Sequence, residues 1–374
     1  MVSNKYRKSR LCSFAYGVAC ALIFLVGNAR AQSSVTVYGA LVDGVVYANN
    51  VGGNSQTKLQ SGVTWPNYFG LMGEEDLGGG SRVLFNLVST FDLNSGSTLY
   101  GPGSLFDAMS YVGVSNANFG KILMGRQYDY TVDLMGLSIL ASNTISSAHP
   151  GGYDRMYGAP LSNAISYESP RFAGLRGKAM YSFGSAGGMT NTRRSYSFAL
   201  EYEIGSFKGE LLTTSVGGNA ISPGTDAGIG HFLGRSFVDN RSAVVNLKST
   251  DIYGGAVNYA IGDATLKGVF TDIIFEDAEG KNKSSIKNIE ASLMYMLTPN
   301  ISLNGGYTYS YAEDSRWHTV NLAVDYFLSK RTDVMLVSNI QKVSGQGQLA
   351  NLFTVGNSSS KSQFTLVASI RHRF

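Results

Sequence analysis

The chain has 374 residues, with 30 Lys or Arg, 26 Asp or Glu and a sequence pI of about 8.8. Five of the basic residues and none of the acidic ones lie in residues 1–31, so the remainder carries 25 basic against 26 acidic side chains. A nearly neutral chain offers no basic surface for nucleic acid. Because Cys12 and Cys20 also lie in that first segment, the remainder cannot form a disulfide scaffold.

Residues 1–31 have the pattern of a secretory signal peptide. A basic head that includes Lys5 and Arg10 precedes an apolar run from Phe14 to Val26, and Ala29-Arg30-Ala31 matches a small-x-small cleavage site. The apolar run is too short for a spanning helix, which needs about 20 residues. The sequence therefore predicts a cleaved signal over 1–31 and one domain over 32–374.

The remaining chain alternates between apolar and polar residues with a period of two. In Ser195 to Ile204, and again in Ile301 to Tyr311, one face is apolar or aromatic and the other is polar. Since successive residues of a strand point to opposite faces, each such segment has one apolar and one polar side. This pattern predicts an all-β protein, but it fits a soluble sandwich as well as a membrane barrel.

The lengths of the connections favour the barrel. Tight turns such as Gly205-Ser206 and Gly262-Asp263 alternate along the chain with long connections. The predicted long connections are Asn50 to Thr64, Asn94 to Leu105, Tyr130 to Ser162, Gly217 to Arg241 and Val343 to Lys361. Short turns at one rim and long loops at the other are typical of outer-membrane barrels. We therefore predict a transmembrane antiparallel β-barrel of about sixteen strands around an aqueous channel.

The third long connection, Tyr130 to Ser162, has neither helical nor strand periodicity. It contains small and turn-forming residues together with Asp133, His149, Asp154 and Arg155. A long irregular insertion in a regular chain is usually functional or disordered. We predict that this loop folds into the lumen and narrows the pore; the alternative is a mobile loop on the surface.

Several motifs resemble those of Gram-negative general porins of the Burkholderia and Neisseria type. They are Val35 to Gly39, Phe69 to Gly80, Gly125 to Asp129, Leu328 to Val334 and Ile370 to Phe374, and the resemblance covers residues 32–374. It implies a homotrimer in the bacterial outer membrane, with the third external loop inserted into each pore. The implied function is passive diffusion of ions and small hydrophilic solutes, without a cofactor.

The resemblance also implies partners in the membrane. The terminal Phe374 is similar to the aromatic carboxy-terminal signal that the barrel-assembly machinery reads in this family. A simple interfacial anchor is the alternative for the same residue. Contact with outer-membrane lipid and lipopolysaccharide is expected for any such barrel.

In general porins, acidic residues of the inserted loop face basic residues of the barrel wall. The corresponding loop residues here are Asp129, Asp133, Asp154 and Arg155; the candidate wall residues are Tyr68, Arg82, Ala108, Lys121, Glu168 and Lys178. Tyr68, Ala108 and Glu168 stand where the family often has arginine, and alternation assigns them to the lumen. Because rings of acidic side chains favour cations, we predict a modest cation preference. A solvated lumen charge without a special role is the alternative for each charged wall residue.

Asp43 and Arg126 share the outward faces of their strands with apolar residues. A charge facing lipid is costly, and in similar porins such an arginine lies near the three-fold axis. Both residues are therefore predicted to form trimer contacts.

The sequence gives little support to an enzyme. It has no metal-ligand spacing of His, Asp and Glu, and no Gly-x-Ser-x-Gly elbow before a helix. We predict no catalytic residue, metal site or cofactor. Three alternatives remain: an outer-membrane barrel enzyme such as a protease or lipid hydrolase, a surface adhesin or receptor barrel, and a substrate-specific channel, whose sign would be a line of aromatic side chains along the lumen.

Overall fold

A computed structural model describes residues 34–99, 103–184 and 194–374. The predicted signal peptide over 1–31 lies outside the described residues. The described strands are β1 (Ser34–Val51), β2 (Asn54–Ser61), β3 (Tyr68–Gly78), β4 (Ser81–Thr90), β5 (Met109–Asn116), β6 (Gly120–Gln127), β7 (Leu161–Glu168), β8 (Leu175–Ser182), β9 (Ser195–Ile204), β10 (Phe207–Gly217), β11 (Ala220–Ile221), β12 (His231–Phe232), β13 (Arg235–Ser236), β14 (Val245–Ile261), β15 (Ala264–Asp277), β16 (Lys283–Thr298), β17 (Ile301–Ala312), β18 (Ser315–Phe327), β19 (Thr332–Ser344), β20 (Asn351–Leu352), β21 (Gly356–Asn357) and β22 (Ser362–Arg373).

Neighbouring strands pair antiparallel, and the sheet closes because β1 pairs with β22. The strands β2 and β3 occupy one position, since both pair with β1, at its second and first halves respectively. The short β11 extends β10 along β14, and β12–β13 and β20–β21 are small hairpins in loops. The described residues thus form a closed barrel of sixteen strands, which confirms the predicted fold class.

Alternation decides which side chains face outward. On β18 the side chains of Val320, Leu322 and Val324 are exposed, whereas Asn321 and Ala323 between them are buried inside the barrel. The exposed apolar surface therefore lies outside, where lipid replaces water. Closure leaves no unpaired sheet edge in the hydrocarbon region, where an unpaired backbone group would cost several kcal/mol.

The carboxy-terminus completes the closure. The backbone groups of Gly39 and Phe374 bond reciprocally, at 3.1 and 3.0 Å between N and O. A Cβ atom at residue 39 would lie 2.6 Å from the Phe374 ring, so only glycine fits beneath that ring. This contact gives Phe374 a structural role at the seam. Its reading by the assembly machinery stays a prediction.

One predicted long connection was wrong. In place of a loop from Asn50 to Thr64, β1 and β2 form a hairpin through Gly52 and Gly53, which have φ of 61° and 103°. Glycine accepts this left-handed backbone without steric cost. The irregular segment is residues 62–67, between β2 and β3. Its last residue, Asn67, accepts a hydrogen bond from the backbone N–H of Val42 on β1.

Helices occur only in loops of the described chain. The α-helices are α1 (Thr131–Gly136), α2 (Leu140–Asn143) and α3 (Pro223–Asp226), and the 3-10 helices are Ile145–Ser147 and Pro150–Gly152. No helix among the described residues is long and apolar enough to cross a membrane.

The apolar core of the described residues lies inside the barrel, and its two largest clusters each involve a loop. One cluster packs Leu134 and Met156 of the loop 128–160 against wall residues such as Met180. A larger cluster packs the loop 218–244, including Phe232, against the wall around Trp317. The loop 218–244 therefore packs inside the barrel in addition to the predicted loop 128–160.

Candidate functional site

The loop 128–160 crosses the lumen and is held by the wall on one side. The Ser138 hydroxyl donates to Glu290 on β16 at 2.8 Å, and the Asn143 amide donates to Asn321 on β18 at 2.6 Å. These partners are far apart in the chain and nearly fully buried. Buried polar groups that are satisfied in this way fix a segment in one conformation.

The beginning of the loop is fixed to β8 and β9. The Tyr130 N–H donates to Ser197 on β9 at 3.2 Å, and Lys178 on β8 donates to Asp133 at 2.8 Å. Further along the loop, the Ile145 N–H donates to the Val63 carbonyl at 3.0 Å. The prediction that the third loop lies inside the barrel is confirmed.

His149 is a buried charged group of the loop. Its Nδ1 lies 2.5 Å from Asp154, and its Nε2 lies 3.5 Å from Glu290 on the wall. Burial alone would lower the pKa of His149, but the charge and hydrogen bond of Asp154, together with Glu290, outweigh burial and raise this pKa to about 10. At neutral pH the loop therefore presents an imidazolium between two carboxylates, and Asp154 does not face the open pore.

The Lys178 ammonium group forms ion pairs with three carboxylates. Its Nζ lies 2.8 Å from Asp133, 3.0 Å from Glu201 and 3.1 Å from Glu210, and only 7% of its side chain is exposed. This predicted wall residue is thus an anchor for the loop and not a free lumen charge.

Asp129 and Arg155 neutralise each other within the loop. The Arg155 side chain donates to Asp129 at 2.7 Å and also to the Ala159 carbonyl, while 1% of the Asp129 side chain is exposed against 16% for Arg155. Arg155 has φ of 62°, which is uncommon for a residue other than glycine. The pair presents its basic end to the lumen.

The remaining charged wall candidates lie near the rim of tight turns. Arg82 pairs with Glu74 at 2.7 Å and Lys121 pairs with Glu168 at 3.0 Å. Arg82, Lys121 and Glu168 line one cavity of about 600 Å³. Lys121 and Glu168 are opposite each other in the strand register, on the lumen face.

Tyr68 and Ala108 differ in their positions. Tyr68 faces the lumen beside Tyr38, with ring centroids 5.8 Å apart. Ala108 is buried just before β5 and is out of phase with the lumen-facing Tyr111 of that strand. The assignment of Ala108 to the open wall therefore needs correction, because alternation was applied to a residue that precedes the strand.

A second cavity, of about 500 Å³, lies at the rim of long loops. Its lining is mainly aromatic and aliphatic, and includes Phe91, Tyr153, Tyr157 and Phe353. Among the described residues that line it, Arg155 is the only charged one. Tyr157 and Phe353 stack with ring centroids 6.2 Å apart, so the entrance carries a planar aromatic surface.

The predicted trimer residues are bound within their own chain. Arg126 donates to the Asp107 carbonyl at 2.6 Å and to the Ser162 hydroxyl at 2.5 Å. The Asn94 side chain lies 2.7 Å from Asp43. Asp107 and Asn94 belong to the loop 91–108, and Ser162 belongs to β7. A contact of Asp43 and Arg126 between subunits stays a prediction.

The partners that hold the loops carry no signal in the sequence that marks them as such. Glu290, Asn321 and Asn339 lie on strands whose alternation gave only a polar face. For the loop 218–244 a signal existed, since apolar residues such as Ile229 and Phe232 are unexpected in an exposed loop. In the described chain no group of three or more His, Cys, Asp or Glu residues is placed to hold a metal ion.

Comparisons with known proteins agree with this architecture. Residues 18–345 match the model of a family described as Gram-negative porin. Outer membrane porin protein 32 of Delftia acidovorans is 27% identical over 374 residues, which covers 96% of this chain and 99% of that protein.

Solved structures show the same fold. The anion-selective porin from Comamonas acidovorans aligns with a TM-score of 0.73 at 22% identity, over 92% of this chain and 100% of that one. The trimer form of OmpT from Vibrio cholerae aligns with a TM-score of 0.67 at 14% identity, over 91% of this chain and 99% of that one.

Proposed function

Since the chain belongs to the Gram-negative porin family and is a β-barrel of the outer membrane, we propose that it forms a water-filled channel for the passive diffusion of ions and small hydrophilic solutes. The observation that carries this proposal is the loop 128–160, which crosses a closed barrel and is hydrogen-bonded to the wall on β8 and β16. A rigid partial obstruction limits solute size while leaving the channel open. Such a passive role requires neither a catalytic residue nor a cofactor.

The structure does not support the cation preference predicted from the sequence. That prediction needed unopposed loop carboxylates, but Asp129, Asp133 and Asp154 are opposed by Arg155, Lys178 and His149 respectively. The similar structure from Comamonas acidovorans is, moreover, an anion-selective porin. We propose weak ionic selectivity, because each of these three loop carboxylates has a basic partner within hydrogen-bonding distance, which weakens the field that it exerts in the pore.

This proposal predicts the effect of removing one charge. Replacing Glu168 by glutamine leaves Lys121 without its carboxylate at 3.0 Å. In a salt gradient, the reversal potential should move toward anion preference, and the shift should shrink as salt rises because screening shortens the reach of the charge. Glu75→Gln is the control, since alternation along β3 directs Glu75 away from the lumen, opposite to Tyr68. Equal shifts in both variants would contradict a lumen role for Glu168.

A substrate-specific channel is the second candidate, and the aromatic entrance favours it. The rings of Tyr157 and Phe353 and the guanidinium of Arg155 line one cavity. Aromatic faces attract planar apolar groups, and a guanidinium binds carboxylates. A small aromatic carboxylate would fit both features.

Recordings in planar lipid bilayers test the main proposal and the candidate together. The purified protein should conduct salt in discrete steps without a ligand, and absence of conductance would refute the channel. If the aromatic entrance binds substrate, benzoate should reduce the current more than acetate at equal concentration. If benzoate and acetate reduced the current equally, the aromatic entrance would not select substrate and the channel would be a general one.

We further propose a homotrimer, inserted by the barrel-assembly machinery and surrounded by lipopolysaccharide. The outward-facing Asp43 and Arg126 and the likeness to a porin solved in trimer form support the trimer. Light scattering of the detergent-solubilised protein decides it, since a monomer under all detergent conditions would exclude a stable trimer.

A further inference from the structure

One side of the lumen carries three tyrosines. They are Tyr38 of β1, Tyr68 of β3 and Tyr111 of β5, and each is partly exposed. Alternation directs them inward, because a neighbour of each in its strand is apolar and exposed on the barrel exterior, namely Val37, Phe69 and Val112. Together with Asn86 of β4, which lies between β3 and β5 in the sheet, they are here named the tyrosine patch.

Contacts among its members hold the tyrosine patch in one arrangement. The Tyr38 hydroxyl donates to Asn86 Oδ1 at 2.7 Å, and Asn86 is the direct register partner of Tyr111. The rings of Tyr38 and Tyr68 meet edge to face, with centroids 5.8 Å apart. The Tyr38 ring also lies against Gly70, where a Cβ atom would come within 2.7 Å of the ring. A solute therefore meets a surface whose shape is set before it arrives, which lowers the cost of binding.

Two hydroxyl groups of the patch are available to a solute. In the part of the chain that the structure describes, the hydroxyls of Tyr68 and Tyr111 have no hydrogen-bond partner in the protein, whereas the Tyr38 hydroxyl is engaged by Asn86. A tyrosine hydroxyl can both donate and accept, and the Asn86 amide adds N–H donors. The patch thus combines aromatic faces with neutral hydrogen-bonding groups.

The charged side chains on either side of the patch are paired. Toward the rim of tight turns, Glu74 of β3 pairs with Arg82 at 2.7 Å. On the side of β22, Arg373 pairs with Asp333 at 2.7 Å. The position of Tyr68 itself is one where an arginine was expected from the resemblance to porins. This section of the wall therefore suits an uncharged solute better than an ion.

We infer that the tyrosine patch binds neutral sugars during their passage, with a pyranose ring lying on the rings of Tyr68 and Tyr111. A pyranose presents C–H groups on its faces and hydroxyls around its edge. Stacking of such a face on tyrosine removes apolar surface from water on both partners, while the hydroxyls at the edge bond to Asn86 and to the free tyrosine hydroxyls. Binding in a channel must stay weak enough for release. This inference rests on the proposed channel and names a class of solute for it.

The test measures binding of methyl β-D-glucoside to the protein by saturation-transfer NMR in lauryldimethylamine oxide, a detergent without a sugar headgroup. Sorbitol is the control solute, because it is a polyol of similar size without a ring. Wild type should bind the glucoside more tightly than sorbitol. The double variant Tyr68→Leu/Tyr111→Leu should weaken binding of the glucoside by about tenfold, because two aromatic contacts are lost.

The matched control variant is Tyr253→Leu/Tyr295→Leu. These two tyrosines face the barrel exterior and are 51% and 43% exposed, so their loss should leave the affinity for the glucoside unchanged. Phe353→Leu tests the aromatic entrance in the same assay and should also have no effect. Circular dichroism establishes that each variant has folded.

Equal binding of the glucoside and sorbitol to wild type would overturn the inference, and so would equal loss of affinity in the two double variants. A loss confined to Phe353→Leu would also overturn it, since the sugar would then bind at the aromatic entrance. Binding in detergent does not require conduction. A protein that binds the glucoside at the patch but conducts no salt would uphold the sugar site and refute the channel, whereas a conducting protein that does not bind the glucoside would refute the sugar site alone.

Discussion

Replacing Lys178 by methionine is expected to destabilise the barrel by about 3–5 kcal/mol, the cost typical of removing one partner from a buried ion pair. Only 7% of this side chain is exposed, and its ammonium group lies within 3.1 Å of Asp133, Glu201 and Glu210. Methionine preserves most of the volume but leaves three carboxylates to repel one another. The change should appear as a lower denaturant midpoint in lipid vesicles, with the slope unchanged.

The neighbouring Lys208 supplies the control. It lies 3.9 Å from Glu201 with 40% of its side chain exposed, and exposed pairs contribute about 0–1 kcal/mol. Lys208→Met should therefore hardly move the midpoint. Lowering the pH far enough to protonate the carboxylates should shrink the difference between Lys178→Met and wild type. If the difference persisted unchanged at low pH, the loss would be one of packing and not of charge.

Removal of most of the inserted loop is expected to raise single-channel conductance strongly. Replacing residues 131–158 by a short Gly-Ser linker deletes α1, α2 and both 3-10 helices, along with the anchors to Lys178 and Glu290. The barrel strands keep their pairing, so the channel should remain but lose its obstruction. The variant should also be less stable, because Met180 and Leu212 lose the apolar cover that Leu134 provides.

A variant that lengthens the turn Gly205-Ser206 by two glycines is the control for altered chain length. This turn joins β9 and β10 at the opposite rim, so conductance should stay at the wild-type value. Equal conductance of the loop-deleted and wild-type proteins, with both barrels folded by circular dichroism, would show that the loop does not limit ion flow.

Local patterns were sufficient to predict much of the fold. The predicted strand from Ser195 to Ile204 is β9, and the predicted strand from Ile301 to Tyr311 differs from β17 by one residue. Alternation and glycine turns act over a few neighbouring residues, so they can be read without knowledge of the partner strand. The same local signals failed where the chain leaves regular structure: Ala108 precedes its strand, and Gly52-Gly53 turned an expected loop into a hairpin.

The sequence by itself determined the strand faces, the tight turns and the existence of a long irregular loop, because each of these depends on residues close together in the chain. The tertiary structure alone decided which charges meet. Ser138 and Glu290 are 152 positions apart and Asp133 and Lys178 are 45 apart, and no local pattern marks such partners. Closure of the barrel brings them together in a poorly hydrated interior, where opposite charges must pair or lose hydration without compensation. That requirement turned the predicted acidic eyelet into a set of ion-paired anchors.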